Sequence, residues 1–294
     1  MTARPTVFFL SDYGAQDEFA GVVRAVLAAG APEASVIDLT HEIDPFDVRA
    51  GSHALRRAVP HLPSGIVLAV VDPGVGTARR GLCLEVEAVR PGPTTFVGPD
   101  NGLLIEAAEW VGGGTITGAV TLTRGPSPEH TGDTFDGRDL FAPAVARLCA
   151  GADPSQLGEP VDPASLVRLF DDVVEEGRGR DGRSSLRCEV TWFDRFGNVQ
   201  LAATAAHADL AGMPVDGTVE VQAPGSAGGG SAALPSGLVP TGTRLRRVTT
   251  FADLAHGELG LLVDANGHLA VVAGEASAAR WLNVAAGELV VLTW

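Results

Sequence analysis

Through the first half of the chain, short uninterrupted apolar runs alternate with stretches whose apolar residues recur at helical spacing. Runs at 6–10, 35–39, 65–71, 81–86 and 95–97 read as strands. The 65–71 run has the character of a strand buried on both faces of a parallel sheet. Between the strands, residues 17–29 place Phe19, Val22, Val23, Val26 and Leu27 on one helical face, and 48–59 predicts a second helix stopped by Pro60. Further helices are predicted from Asn101-Gly102 to Trp110 and over 139–150. This alternation predicts an open α/β sheet. Ligands bind such sheets at the carboxyl ends of the strands. Ser11-Asp12-Tyr13-Gly14, Thr40-His41 and Asp72-Pro73-Gly74 fall there, after the first three strands.

Past residue 170 the pattern changes. Residues 171–185 are polar and rich in Gly and Arg, and read as a linker or exposed hairpin. Short β-like runs follow at 186–192, 217–221, 247–251, 261–263, 269–272 and 289–293, separated by turn residues, as in a small barrel or sandwich. Residues 225–230 read as a flexible loop. The expected fold is an N-terminal α/β domain with a mostly parallel central sheet (1–170), then a linker or hairpin (171–185), then a smaller antiparallel β-barrel-like domain (186–294).

Composition narrows the function. No apolar run approaches the ~20 residues of a membrane span, and the N-terminal residues lack the charged, apolar and cleavage regions of a signal peptide. The net charge is −15, and no Lys/Arg cluster offers a face to nucleic acid. A cationic or zwitterionic small molecule suits that charge better. All 21 basic residues are arginine, which excludes a Schiff-base lysine and a P-loop lysine. Cys83, Cys149 and Cys188 are odd in number and widely spaced, as expected of buried thiols in a reducing cytoplasm. Neither they nor the seven histidines have metal-ligand spacing, so no metal or cofactor is expected.

Five segments carry candidate chemistry. Asp12 is placed either to accept both hydroxyls of a ribose or to cap a helix. In Val70-Val71-Asp72-Pro73-Gly74-Val75-Gly76-Thr77-Ala78-Arg79 a buried strand ends in an acid, followed by a turn and an arginine able to fold back. An Arg beside Asp72 favours its ionised form, able to orient water, unless the pair merely closes the loop. Gly98-Pro99-Asp100-Asn101-Gly102 reads as a turn and helix start. Asp136 and Asp139, in Phe135-Asp136-Gly137-Arg138-Asp139, precede a helix as caps do. Phe193-Asp194-Arg195-Phe196-Gly197-Asn198 gathers an acid, a ring and an amide that suit an amino group and an adenine, or form a β-turn. There is no Gly-x-Ser-x-Gly, Gly-x-Gly-x-x-Gly or Walker sequence.

Taken in order, with His41-Glu42-Ile43-Asp44-Pro45-Phe46-Asp47 and Gly137-Arg138-Asp139-Leu140-Phe141-Ala142-Pro143-Ala144, these segments resemble the S-adenosyl-L-methionine hydroxide adenosyltransferases, relatives of the fluorinating and chlorinating adenosyl enzymes. The resemblance covers nearly the whole chain and is most specific over residues 71–77. It implies hydrolysis of S-adenosyl-L-methionine to adenosine and L-methionine, without metal or cofactor, in a homotrimer with sites between subunits. Asp12 would hold the ribose hydroxyls, with Asp17 beside the same ligand. Phe46 would pack near C5′, Asp194 would hold the methionine ammonium, and Phe196 and Asn198 would contact adenine. The halogenating relatives carry Tyr at the position of Asp72, where a carboxylate repels halide and suits water.

Two departures from the family pattern stand out. The hydrolases place Asp, Arg and His around the attacking water. Asp72 and Arg79 match, but Asp136 stands at the His position, and His130 lies six residues upstream. Two carboxylates on one Arg are expected to couple, raising the pKa of one. In the second half, Asp264-Ala265-Asn266-Gly267 stands where the fluorinating relatives bind the methionine carboxylate with Ser-Arg. The alternatives are a nucleoside-binding protein with altered catalysis, a halide-dependent adenosyl transferase and a metal-dependent hydrolase.

Overall fold

The computed structural model describes residues 4–87, 91–124, 132–179, 182–223 and 242–294. The predicted loop at 225–230 and His130 lie outside the described residues. The chain divides into two compact units, the first ending at Leu169 and the second beginning at Phe170.

The first unit has strands β1 (Thr6–Ser11), β2 (Ser35–Thr40), β3 (Ile66–Val70), β4 (Gly81–Val86), β5 (Thr95–Pro99), β6 (Ile116–Leu122) and β7 (Gly158–Pro160). Its helices are α1 (Phe19–Gly30), α2 (Val48–Ala58), α3 (Ile105–Gly112) and α4 (Ala142–Cys149). The sheet order is β2-β1-β3-β5-β4-β6-β7, with the first four strands parallel and antiparallel pairs beyond β5. Strand side chains alternate between faces, and in β1 both sets are apolar. Phe8 and Leu10 pack in a cluster with Leu55 of α2 and Ala107 and Ala108 of α3; Val7 and Phe9 pack with Val23 and Leu27 of α1 and Val145 of α4. Two apolar faces demand helices on both sides. The chain leaves β1 through α1 to β2, then returns through α2 past β1 to β3. The connections from β1 and from its neighbour therefore diverge, opening a crevice at the carboxyl ends of β1 and β3.

Three differences from the predicted elements have local causes. β6 was not expected, because Thr117, Gly118 and Thr121 dilute its apolar signal; pairing with β4 and β7 makes it a strand. α3 begins at Ile105, because the Asn101 side chain is engaged in the preceding turn, accepting from Leu103 N–H at 3.2 Å and donating to Val71 C=O at 2.8 Å. The helix predicted from 139 starts earlier, as a π-helical turn over Gly137–Phe141 that runs into α4.

The second unit contains β8 (Val174–Arg178), β9 (Ser184–Phe193), β10 (Val199–Thr204), β11 (Thr218–Gln222), β12 (Thr243–Arg247), β13 (Leu259–Val263), β14 (His268–Ala273) and β15 (Leu289–Thr293), with short helices α5 (Ala205–Leu210) and α6 (Ala278–Leu282). Seven strands close a barrel in the order β10-β14-β13-β12-β11-β15-β9, sealed by β9–β10 pairing; β8 extends the sheet beyond β9. Every second residue points inward, as Leu186, Cys188 and Val190 do on β9, Val199, Leu201 and Ala203 on β10, and Leu269, Val271 and Ala273 on β14. β12–β13 is a parallel pair, in a barrel predicted to be antiparallel. The run expected at 247–251 is displaced to 243–247. The Asp253 carboxylate accepts from the N–H groups of Thr249 and Thr250, and this draws the following residues into a 3₁₀ turn at Phe251–Asp253. Among the described residues, no helix is long and apolar enough to cross a membrane.

Candidate active site

The crevice at the ends of β1 and β3 opens into a cavity of about 620 Å³. Its wall includes Asp12, Tyr13, Asp17, His41, Phe46, Asp72, Phe135 and Asp136. It lies where the strand order reverses, so the loops after β1, β2 and β3 all face it.

Asp72 sits two residues past Val70, the last residue of β3. Its Oδ1 accepts from Gly74 N–H at 3.2 Å and from Arg79 Nε at 3.1 Å, and its Oδ2 accepts from Arg79 NH2 at 2.5 Å. The two-point fork of Arg79 fixes the plane of the carboxylate. The same NH2 group reaches Asp136 Oδ2 at 2.6 Å, and Arg79 NH1 donates to Arg80 C=O at 3.0 Å. The side chains of Asp72, Arg79 and Asp136 are 6%, 9% and 7% exposed, so this is a buried ionic cluster. Burial pushes the Asp72 carboxyl above the usual carboxylate range; Arg79 pulls it back and Asp136 pushes it further up. Arg79 was expected to hold this carboxyl low, but burial outweighs the fork; the push expected from the second carboxylate is present as a smaller contribution.

Asp136 also has a partner that sequence reasoning missed: Arg124 NH2 donates to its Oδ1, while Arg124 NH1 holds Asp133 at 2.8 Å. No sequence motif surrounds Arg124; only strand register brings it here. Asp136 stands at the N-terminal edge of the π-helical turn but its side chain caps nothing, and Asp139 is instead held by Arg138 at 2.6 and 2.8 Å.

Asp12 is not a helix cap. Its Oδ2 accepts from the N–H of Phe46 at 2.9 Å, and α1 has no side-chain cap. Phe46 has φ of 70° and is 71% exposed. A bulky residue in that region costs about 1–2 kcal/mol, so the fold spends stability to present an aromatic ring at the cavity. Beneath, Ser11 Oγ contacts His41 Nδ1 at 2.8 Å and accepts from Tyr13 N–H at 3.3 Å, while Gly14 N–H donates to His41 C=O at 2.7 Å, tying the loop after β1 to the loop after β2. Tyr13 is ringed by Phe9, Phe19 and Phe135. Burial, then the charges of Asp12, Asp72 and Asp136, hold its phenol protonated far above the ordinary range. Phe19, which shares the helical face of Val23 and Leu27 in the sequence pattern, is 39% exposed and lines the cavity.

In the second unit, Asp194, Phe196 and Asn198 come together in the turn between β9 and β10. Asp194 Oδ1 accepts from the N–H groups of Phe196 and Asn198, each at 2.9 Å, and Oδ2 accepts from Asn198 Nδ2 at 2.6 Å. The turn closes through Gly197, with φ of 84°, and presents Phe196 at 73% exposure. In the β13–β14 turn the Asp264 carboxylate accepts from Asn266 and His268 N–H, and from Gln200 Nε2 at 2.5 Å. Among the described residues, no group of three or more His, Cys, Asp or Glu side chains is arranged to hold a metal ion.

An α/β unit that buries a carboxylate–guanidinium cluster beside an acidic cavity at its switch point, followed by a small barrel, has the layout of an enzyme acting on a small molecule through positioned charge. Comparison with known proteins gives the family. Models of the SAM hydroxide adenosyltransferase N-terminal and C-terminal domains match residues 7–158 and 188–291, and the chain belongs to this family. It is 40% identical over 289 residues to the (R)-S-adenosyl-L-methionine hydrolase of Salinispora tropica, covering 98% of this chain and 97% of that one. It is 42% identical over 223 residues to the hydrolase of the same name from Thermus thermophilus, covering 73% and 78%. A fluorinase of an Actinoplanes species is 24% identical over 313 residues, covering 98% and 97%. Among solved structures, an uncharacterized conserved protein from Thermotoga maritima superimposes with a TM-score of 0.79 at 28% identity, covering 97% and 99%.

Proposed function

We propose that this protein hydrolyses S-adenosyl-L-methionine to adenosine and L-methionine. The observation that carries the reading is the Asp72–Arg79 fork at the end of β3: a buried carboxylate of fixed orientation at the wall of a cavity large enough for a nucleoside. Water held by Asp72 attacks C5′ of the ribose in line with the C5′–S bond. The O–C5′ bond forms as C5′–S breaks, the bonding pair returns to sulfur as the neutral thioether of methionine, and the water proton passes to Asp72. The sulfonium is already an activated leaving group, so the enzyme supplies orientation and a base, the latter contributing roughly 10²–10⁴-fold. The raised pKa of Asp72 makes it a better proton acceptor than an exposed aspartate.

In this proposal Asp136 is the third member of the catalytic group. Asp12 receives the ribose hydroxyls with Asp17 beside it, and Phe46 packs near C5′. Asp194 takes the methionine ammonium, for which a carboxylate bonded to two backbone N–H groups and one amide still has acceptor capacity. Phe196 stacks on adenine, and Asn198 Oδ1 accepts from its amino group. We further propose a metal-independent, cytoplasmic homotrimer with sites between subunits, organised as domains 1–170 and 186–294 with 171–185 as a linker or exposed hairpin.

The test is incubation of purified protein with S-adenosyl-L-methionine in chelator-treated, halide-free buffer, followed by chromatography. Adenosine and methionine in equal amounts are expected. Substrate bound but intact after hours would replace this reading by a nucleoside-binding protein, and a requirement for halide or metal would replace the nucleophile.

A further inference from the structure

Asp136 makes the cluster unusual. Two buried carboxylates on one guanidinium leave a net negative charge that is expensive to desolvate, and it lies beside the group that must accept a proton. Arg124 changes that balance. Through Arg79 NH2 and Arg124 NH2 both oxygens of Asp136 are engaged, and Arg124 NH1 goes on to Asp133, whose side chain is 79% exposed. The ionic groups alternate in sign from the cavity wall to the surface: Asp72, Arg79, Asp136, Arg124, Asp133. The strand register delivers both arginines. β4 and β6 run antiparallel with Leu82 opposite Thr121, so the segments just before β4 and just after β6, which hold Arg79 and Arg124, lie side by side.

We propose that Arg124 is a positioning residue for Asp72: it fixes and neutralises Asp136, so that Arg79 stays forked on Asp72 although its NH2 group also bonds the second carboxylate. The proposal rests on the hydrolase reading. Arg124 does not itself line the cavity, and it bonds the wall residue Asp136 rather than Asp72, so its effect passes through Asp136. The charged and titratable groups facing this arrangement are Arg79 on the loop of Asp72, Asp136 on the π-helical turn, and Tyr13 and Asp12 from the loop after β1. Tyr13 stays protonated. Removing Arg124 therefore exposes Asp72 to a carboxylate balanced by a single shared guanidinium, and the proton affinity of Asp72 rises.

The experiment is the pH dependence of kcat for wild type, Arg124→Gln, Arg124→Lys, Asp136→Asn and the Asp136→Asn/Arg124→Gln double variant. Arg124→Gln is expected to move the acid limb to higher pH by about half a unit or more. Arg124→Lys retains the charge and is expected to keep the wild-type limb. In the Asp136→Asn background, where the charge to be neutralised is gone, Arg124→Gln is expected to move nothing. A lower kcat with an unmoved limb, or an equal shift in the Asp136→Asn background, would overturn the proposal. If Arg124→Gln does not fold, Asp136→Asn must restore folding in the double variant; failure to do so overturns it equally. A second readout does not need turnover: ¹³C-carboxyl NMR of labelled aspartate, with the Asp72 resonance assigned by its loss in Asp72→Asn. If wild type forms no product, the hydrolase reading falls. The Asp72 titration still decides the role of Arg124, supporting it if Arg124→Gln raises the midpoint and refuting it if not.

Discussion

Asp72 is held by three donors yet buried deeply enough that its carboxyl titrates above the ordinary range. The sign of that shift separates activity from stability. A carboxyl whose folded pKa exceeds its unfolded value is destabilising when ionised, and the fold regains that energy as pH drops through the folded pKa. Asp72→Asn removes the buried charge and the base together. It is expected to cut kcat roughly 10²–10⁴-fold while the melting temperature at neutral pH stays level or rises, as checked by calorimetry beside product assays. In wild type the rate should fall toward acid with a midpoint above that of an exposed aspartate. Phe46 makes the same trade in backbone form. Because the residue is mostly exposed, Phe46→Gly gives up little packing and relieves the φ of 70°. Unfolding by urea should show stability unchanged or raised by about 1 kcal/mol, with KM increased. A large stability loss would mean that the ring packs rather than binds.

Among the elements, the π-helical turn before α4 matters most. It brings Asp136 to Arg79 and sets Gly137 against the Tyr13 ring: a Cβ at Gly137 would lie 2.2 Å from the Tyr13 hydroxyl. Tyr13 cannot withdraw easily from among Phe9, Phe19 and Phe135. Gly137→Ala is therefore expected to cost about 1–3 kcal/mol and to push the phenol into the cavity, raising KM. Adding Tyr13→Phe removes the clashing oxygen and should recover most of the stability in denaturant melts; an additive double variant would count against this contact. The alternation of apolar runs made β1, β3 and α2 legible without coordinates, because their burial follows from local periodicity. β6 and β10 were not legible. β6 is diluted by polar and small residues, and β10 directly follows the turn residues at 194–198, whose chemistry masks its start.

At the scale of the molecule, one family spans both units, and the proposed homotrimer predicts a mass of about 91 kDa in sedimentation equilibrium, three copies of a 30.2 kDa chain. A monomer at assay concentration that is fully active would remove the proposed sites between subunits. The residues on which the site is proposed were visible from the order of short motifs, since most lie in a loop after a strand, where chain direction places polar groups at the end of a sheet. The pairing of Asp72 with Arg79 could be read for the same reason: seven residues of turn allow the side chain to return. Sequence by itself thus determined the layered α/β unit, the barrel after it and the loops facing the crevice, because these follow from local periodicity and turn chemistry. Tertiary structure alone decided that Asp12 restrains Phe46 rather than capping a helix, that Phe19 lines the cavity, and that Arg124 completes the charge on Asp136. The contacts of Asp12 with Phe46 and of Phe19 with Phe135 join residues far apart along the chain, and that of Arg124 with Asp136 crosses from the end of a strand to the start of a helical turn, so strand order and register decide them.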